Sequence, residues 1–213
     1  NVAVGTNALD AATTGNDNVA VGYNALTDHT TASDNTAIGS SAGANITTGA
    51  SNVAVGRTAL FNTTTASNNT AVGRDALREN TTGTQNVAVG ALALDANTTA
   101  NDNTSVGYNS LSANTTGTFN TALGSLALDA NTTASNNTAI GYNSLGATST
   151  GTQNTAVGSA SLQSNTTGGS NVGIGVGVLA SNTTGGSNVA VGTNALDANT
   201  TAVSYTHLTL PTT

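Results

Sequence analysis

The chain has no cysteine, methionine, tryptophan or lysine, and one proline in 213 residues. Without cysteine there is no disulfide framework and no thiolate metal site. Charged residues make up 6% of the chain, against about 25% in an ordinary globular domain. The net charge of −7 comes from nine Asp and Glu79 against Arg57, Arg74 and Arg78. Nucleic acid and anionic lipid are bound by clustered cations, so neither is expected as a partner. No apolar run approaches the ~20 residues of a membrane span, and no membrane insertion is expected within this stretch. No signal peptide is visible. The chain opens on Asn1 in mid-pattern and reads as a fragment of a longer protein.

What is present is a repeat. A word close to Asn-[Val/Thr]-Ala-[Val/Ile/Leu]-Gly begins at Asn1 and recurs every seventeen residues to Asn188, twelve times without insertion or deletion. Numbering each copy from one to seventeen, position one is always Asn, five always Gly and fourteen always Thr. Position nine is Leu except at Gly43, and thirteen is Thr except at Ser149. Other positions vary freely, so recent duplication alone does not explain which ones stay fixed. A stack in which each copy touches only its neighbours does, because equivalent residues then meet equivalent surroundings. Position fifteen alternates Gly and Ala from Gly15 to Gly151, a regularity the pattern alone does not explain.

Seventeen residues are too few for a helix–turn–helix unit, and recurrent Gly, Asn, Thr and Val disfavour helix. The pattern therefore predicts an all-β parallel β-solenoid, a β-roll of twelve seventeen-residue coils spanning 1–202. Positions two and four share one strand face and are expected to point inward, as Val53 and Val55 with Leu60 re-entering at position nine. Gly at five fits a turn. Asn-Thr-Thr at twelve to fourteen reads as a second short strand or a corner. Stacking gives columns: Asn18, Asn52 and Asn86; Val21, Val55 and Val89; Gly22, Gly56 and Gly90; Leu26, Leu60 and Leu94. Stacked Asn side chains can hydrogen-bond to their copies above and below, as amide ladders do in cross-β assemblies. Low complexity argues for disorder, but a disordered linker has no reason to keep Leu at position nine.

Strings such as Asn18-Val19-Ala20-Val21-Gly22 followed by Tyr23-Asn24-Ala25-Leu26 resemble the YadA-like head repeats of trimeric autotransporter adhesins. They also resemble repeats of phage tail fibres and of large surface proteins ending in an endosialidase-type chaperone domain. The resemblance covers 1–202. It implies a parallel solenoid displayed outside the cell, on a cell surface or virion fibre, and often wound into a homotrimer. Those heads commonly use a shorter period, and the extra residues here are expected in the Asn-Thr-Thr corner.

Sequence register is lost after Ala202. The tail 203–213 resembles a translated sequencing adapter and is set aside as an artefact, the alternative being a capping segment. No catalytic constellation, cofactor motif or metal site is expected: His29 and His207 stand alone, and the glycines are spread evenly. Asp10, Asp95, Asp129 and Asp197 at position ten, and Asp17, Asp34 and Asp102 at position seventeen, read as solvated charge rather than Ca²⁺ ligands. Tyr23, Tyr108 and Tyr142 at position six are expected to project outward. The Thr columns raise an alternative, an ice-binding solenoid, although adjacent Thr residues should face opposite sides. Asn-x-Thr sequons matter only in a glycosylating secretory pathway. The expected function is a structural or adhesive repeat module, a rigid spacer or multivalent head that is not an enzyme and whose partners are itself and an unspecified surface or matrix ligand.

Overall fold

The computed structural model describes residues 1–201 and the strand Thr206–Leu208. Every copy of the repeat contributes one three-residue strand. The chain divides into two compact units, Asn1–Asn103 and Thr104–Thr213. The first carries β1 (Val2–Val4), β2 (Val19–Val21), β3 (Thr36–Ile38), β4 (Val53–Val55), β5 (Thr70–Val72) and β6 (Val87–Val89). The second carries β7 (Thr104–Val106), β8 (Thr121–Leu123), β9 (Thr138–Ile140), β10 (Thr155–Val157), β11 (Val172–Ile174), β12 (Val189–Val191) and β13 (Thr206–Leu208). The division falls after position one of the seventh copy, where the sequence pattern does not change.

Within each unit the strands pair in parallel and in chain order. Each residue lies opposite its equivalent seventeen positions on, as in Val53↔Thr70, Ala54↔Ala71 and Val55↔Val72, and in Thr155↔Val172 further along. No helix occurs among the described residues. The fold is a parallel β-solenoid with a seventeen-residue coil. The pairing continues into the tail: Val189↔Thr206, Ala190↔His207 and Val191↔Leu208 keep the same step. A parallel ladder is made of backbone groups, so β13 joins it without the consensus side chains. The rest of the tail lies outside the described residues.

The strands are short because the backbone turns sharply after them. Gly at position five has φ between +121° and +142° in every copy, a region essentially closed to other residues. A Cβ on Gly56 would also lie 2.5 Å from the carbonyl oxygen of Gly73. Positions seven, nine and seventeen are left-handed as well, including Leu60 at φ 51° and Leu94 at φ 54°. This conformation costs an L-residue about 1–2 kcal/mol. For Leu, side-chain burial worth roughly 1.5–3 kcal/mol offsets that cost, and Leu26, Leu60 and Leu94 are fully buried.

The interior corrects the expected strand face. Position three points inward: Ala20, Ala54 and Ala88 are buried, whereas Val21, Val55 and Val89 are half-exposed and Val53 is exposed. Within each unit the column of Val, Ile and Leu at position four lies on the outside. The cause is the width of the lumen. The residues at positions eight and nine fill it from the far side; in the eleventh coil, where Val178 stands at position eight, even a Cβ on Gly173 would meet Ser161 Oγ at 2.8 Å and Val178 Cγ1 at 3.3 Å. Only a methyl-sized group fits opposite. Asn-Thr-Thr forms a corner of bends, not a second strand.

Two amide ladders complete the interior. Asn52 is representative of position one: its backbone N–H donates to Asn35 Oδ1 at 3.0 Å, and its Nδ2 donates to the same oxygen at 3.1 Å and to the carbonyl of Ala66 at 2.9 Å. Asn86 repeats the arrangement on Asn69 and Ala100. Asn18 reaches Asn1 and Ala32 in the same way. A second ladder runs at position twelve, where Asn97 Nδ2 donates to Asn80 Oδ1 at 2.9 Å and Asn182 Nδ2 to Asn165 Oδ1 at 3.0 Å. Both ladders send a donor to the carbonyl of position fifteen of their own coil. That crowded carbonyl restricts position fifteen to the smallest residues. A Cβ at Gly15, Gly49, Gly83 or Gly117 would collide with the position-fifteen oxygen of the next coil, and no two successive copies both carry Ala there.

Candidate functional site

The outer surface is sorted by position. Among the described residues, every large apolar side chain that is strongly exposed stands at position two, four or six, except Phe119. Val53 and Val189 represent position two, Ile38 and Leu123 position four, and Tyr108 position six. No copy has a charged residue at position two or four. In each unit the paired strands therefore present an uncharged surface of mostly β-branched side chains. Successive strands in a parallel sheet are about 4.8 Å apart, so the surface repeats at that step. Tyr23, Tyr108 and Tyr142 are exposed at its margin.

A second exposed column is Thr at position fourteen. It is exposed in all twelve copies, and its hydroxyl makes no hydrogen bond among the described residues. Its neighbour at thirteen is spent on the stack: Thr47 Oγ1 donates to the carbonyl of Thr64 at 3.1 Å, and Thr81 Oγ1 to that of Thr98 at 2.9 Å. At position two Val and Thr interchange, so β-branching suffices there. At fourteen only Thr occurs, so methyl and hydroxyl are both retained.

Charge is local. The buried Asp75 accepts from the Thr58 hydroxyl and from Arg74 Nη1 at 2.6 Å, with Arg57 Nη2 at 3.9 Å. Arg78 Nε pairs with Glu79 at 2.9 Å, and Glu79 also accepts from Asn62 Nδ2 at 2.6 Å. These contacts join the fourth and fifth coils. Burial raises the pKa of Asp95, opposed by Arg78, and burial also raises that of Asp129. Asp10, Asp17, Asp34, Asp102 and Asp197 are exposed. Among the described residues no group of three or more His, Cys, Asp or Glu could hold a metal ion.

His29 is buried, not solvated. It replaces Asn at position twelve, with Nε2 3.0 Å from Asn18 Nδ2 and Nδ1 without a partner among the described residues. Burial lowers its pKa, partly opposed by the Ala32 backbone.

The strand face was missed by the sequence pattern, although a signal existed. Position three admits only Ala, Ser105 and Gly173, whereas position four admits Val, Ile and Leu. A column confined to the smallest side chains marks the tight interior, and freedom of size marks the outside. The fold defines the class: a parallel β-solenoid with an apolar outer strand face. No family model, curated protein or solved structure matches the chain.

Proposed function

We propose that this chain is a structural and adhesive module of an extracellular fibre or surface protein, which assembles with copies of itself through its strand faces. The observation that carries the reading is the outward Val/Thr and Val/Ile surface. Contiguous exposed apolar patches mark interaction sites, and an uncharged one has no desolvation cost from ions. A second copy is the fitting occupant. Side chains repeating every ~4.8 Å stay in register over many coils only against a surface with the same step. Display outside the cell, and a trimer as the assembly, rest on the resemblance of strings such as Asn18–Gly22 to adhesin head repeats. Leu and Asn ladders within each unit support the role of stiff spacer, and many equivalent weak contacts support multivalent adhesion. Sedimentation equilibrium tests assembly: a defined oligomer is expected, and a monomer at every concentration would remove self-association from the proposal.

A second reading, ice binding, is favoured by one observation, the invariant exposed Thr column at position fourteen. Regularly spaced methyl and hydroxyl groups can order water. Thermal hysteresis and faceted ice growth in concentrated protein are its expected signatures; normal freezing would dismiss it.

A further inference from the structure

Position ten forms a column along one corner of the coil, and Gly146 is its one glycine. A notch of about 340 Å³ opens beside it, at the small end of the ~300–1,000 Å³ of small-molecule sites. It is lined by Asn143, Gly146 and Ala147 of one coil, by Asp129 of the preceding coil and by Gln163 and Ser164 of the following one. Asn143 leans into the gap, since a Cβ on Gly146 would collide with its Oδ1. The side-chain amides of Asn143 and Gln163 and the hydroxyl of Ser164 make no hydrogen bond among the described residues. Asp129 is partly desolvated, which holds its carboxyl above the usual range.

We infer that this notch is a binding site for one neutral pyranose unit of a glycan. A pyranose offers adjacent hydroxyls that both donate and accept. A carboxylate accepts from two such hydroxyls, each amide offers an acceptor oxygen and a donor NH₂ group, and charge-assisted hydrogen bonds are the stronger kind. No cation lines the notch, and Asp129 repels anions, so acidic sugars are disfavoured. A shallow polar site of this size binds one unit weakly, with Kd around 1 mM; repetition across an assembly would raise the avidity. The inference draws its biological use from the adhesive reading, but the site itself requires no self-assembly.

Amide chemical-shift titration of the full chain tests it, using glucose, galactose, mannose and N-acetylglucosamine to about 100 mM, with N-acetylneuraminate and CaCl₂ as separate arms. Saturable shifts are expected for at least one neutral sugar, confined to residues 129–130, 143–147 and 163–164. Gly146→Asp restores a side chain that other copies carry at this position and should abolish the shifts. Asp129→Asn should weaken binding at least about fivefold, as expected for losing a charge-assisted bond. Three results would overturn the site: no saturable shift with any neutral sugar, unchanged shifts in Gly146→Asp, or saturation by Ca²⁺ alone. Each leaves sedimentation behaviour untouched, so failure here is distinguishable from failure of assembly.

Discussion

Leu at position nine holds two requirements in tension, since its side chain needs the lumen while its backbone is left-handed. Truncation separates them. Leu60→Ala removes most of the buried side chain and keeps the strained φ of 51°, and is expected to cost about 2–5 kcal/mol. Leu60→Gly removes one carbon more but relieves the backbone, since glycine accepts φ > 0 freely. The glycine variant should therefore be no less stable than the alanine variant, the reverse of the usual order within regular elements. Denaturant melts of the two proteins decide it, and a glycine variant clearly below alanine would show that the left-handed strain is negligible. Gly43 is the natural instance, and Ile46 at position twelve lies where the missing side chain would have been, 3.0 Å from a Cβ at that site. His29 gives a pH dependence. Its pKa is lowered in the fold by burial, so below the ordinary value of about 6.5 the unfolded chain takes a proton that the native chain refuses. Its contribution is therefore neutral above that pH and becomes destabilising as pH falls, until the folded form titrates too. His29→Asn should flatten stability between pH 6.5 and 5 relative to the parent; identical pH profiles for the two proteins would contradict the buried neutral imidazole.

In two coils, departures from consensus at positions three and eight occur together. In the eleventh coil Gly173 replaces Ala at position three while Val178 replaces Ala at eight, and the two side-chain sites touch. In the seventh coil Ser105 and Ser110 take the same two positions and hydrogen-bond to each other at 2.6 Å. Gly173→Ala alone overpacks the lumen, and Val178→Ala alone opens a cavity, so each should destabilise. Together they restore the consensus coil. A double-mutant cycle should give a coupling of about 1–3 kcal/mol in favour of the double variant, read from chemical melts; simple additivity would mean that the two sites do not share one space. The same pairs show what the sequence made legible. The period, the strand position, the Leu column and the Asn column at position one follow from fixed spacing. The direction of the strand face does not, because alternation defines two faces without saying which is inward, and Val was the more apolar choice. Lumen width decided it, in a coil whose turns at positions seven, nine and seventeen are left-handed. Side chains as different as Asp17, Gln85 and Phe119 adopt the last of these, so no residue type announces it. The notch at Gly146 was equally hidden, since one glycine in a variable column becomes a site only when its neighbours in adjacent coils are known.

In the proposed assembly, stability and association would be carried by opposite faces of the same strand. Position three holds the coil closed, and positions two and four are free to meet a partner. Charge placed on the outer face should therefore disrupt assembly without unfolding the chain. The variant Val21→Lys, Val55→Lys, Val89→Lys adds three cations to a surface that has none at those positions. Since Val21, Val55 and Val89 are already half-exposed, the long lysine stems can reach water, and circular dichroism should be unchanged. Sedimentation should move from oligomer to monomer. Ala54→Lys, one residue from Val55 but facing the lumen, should instead unfold the coil, because a buried unpaired ammonium is far more costly than an exposed one. Salt gives an independent check. Association through an uncharged face should persist in about 1 M NaCl, where ion pairs are screened within about 3 Å, and should strengthen in sulfate, which favours burial of apolar surface. Loss of the oligomer in NaCl would place the contacts on Arg57, Arg74 and the carboxylates instead. An oligomer that survives the triple lysine substitution would move the interface off the strands of the first unit, to those of the second or to the Thr column at position fourteen.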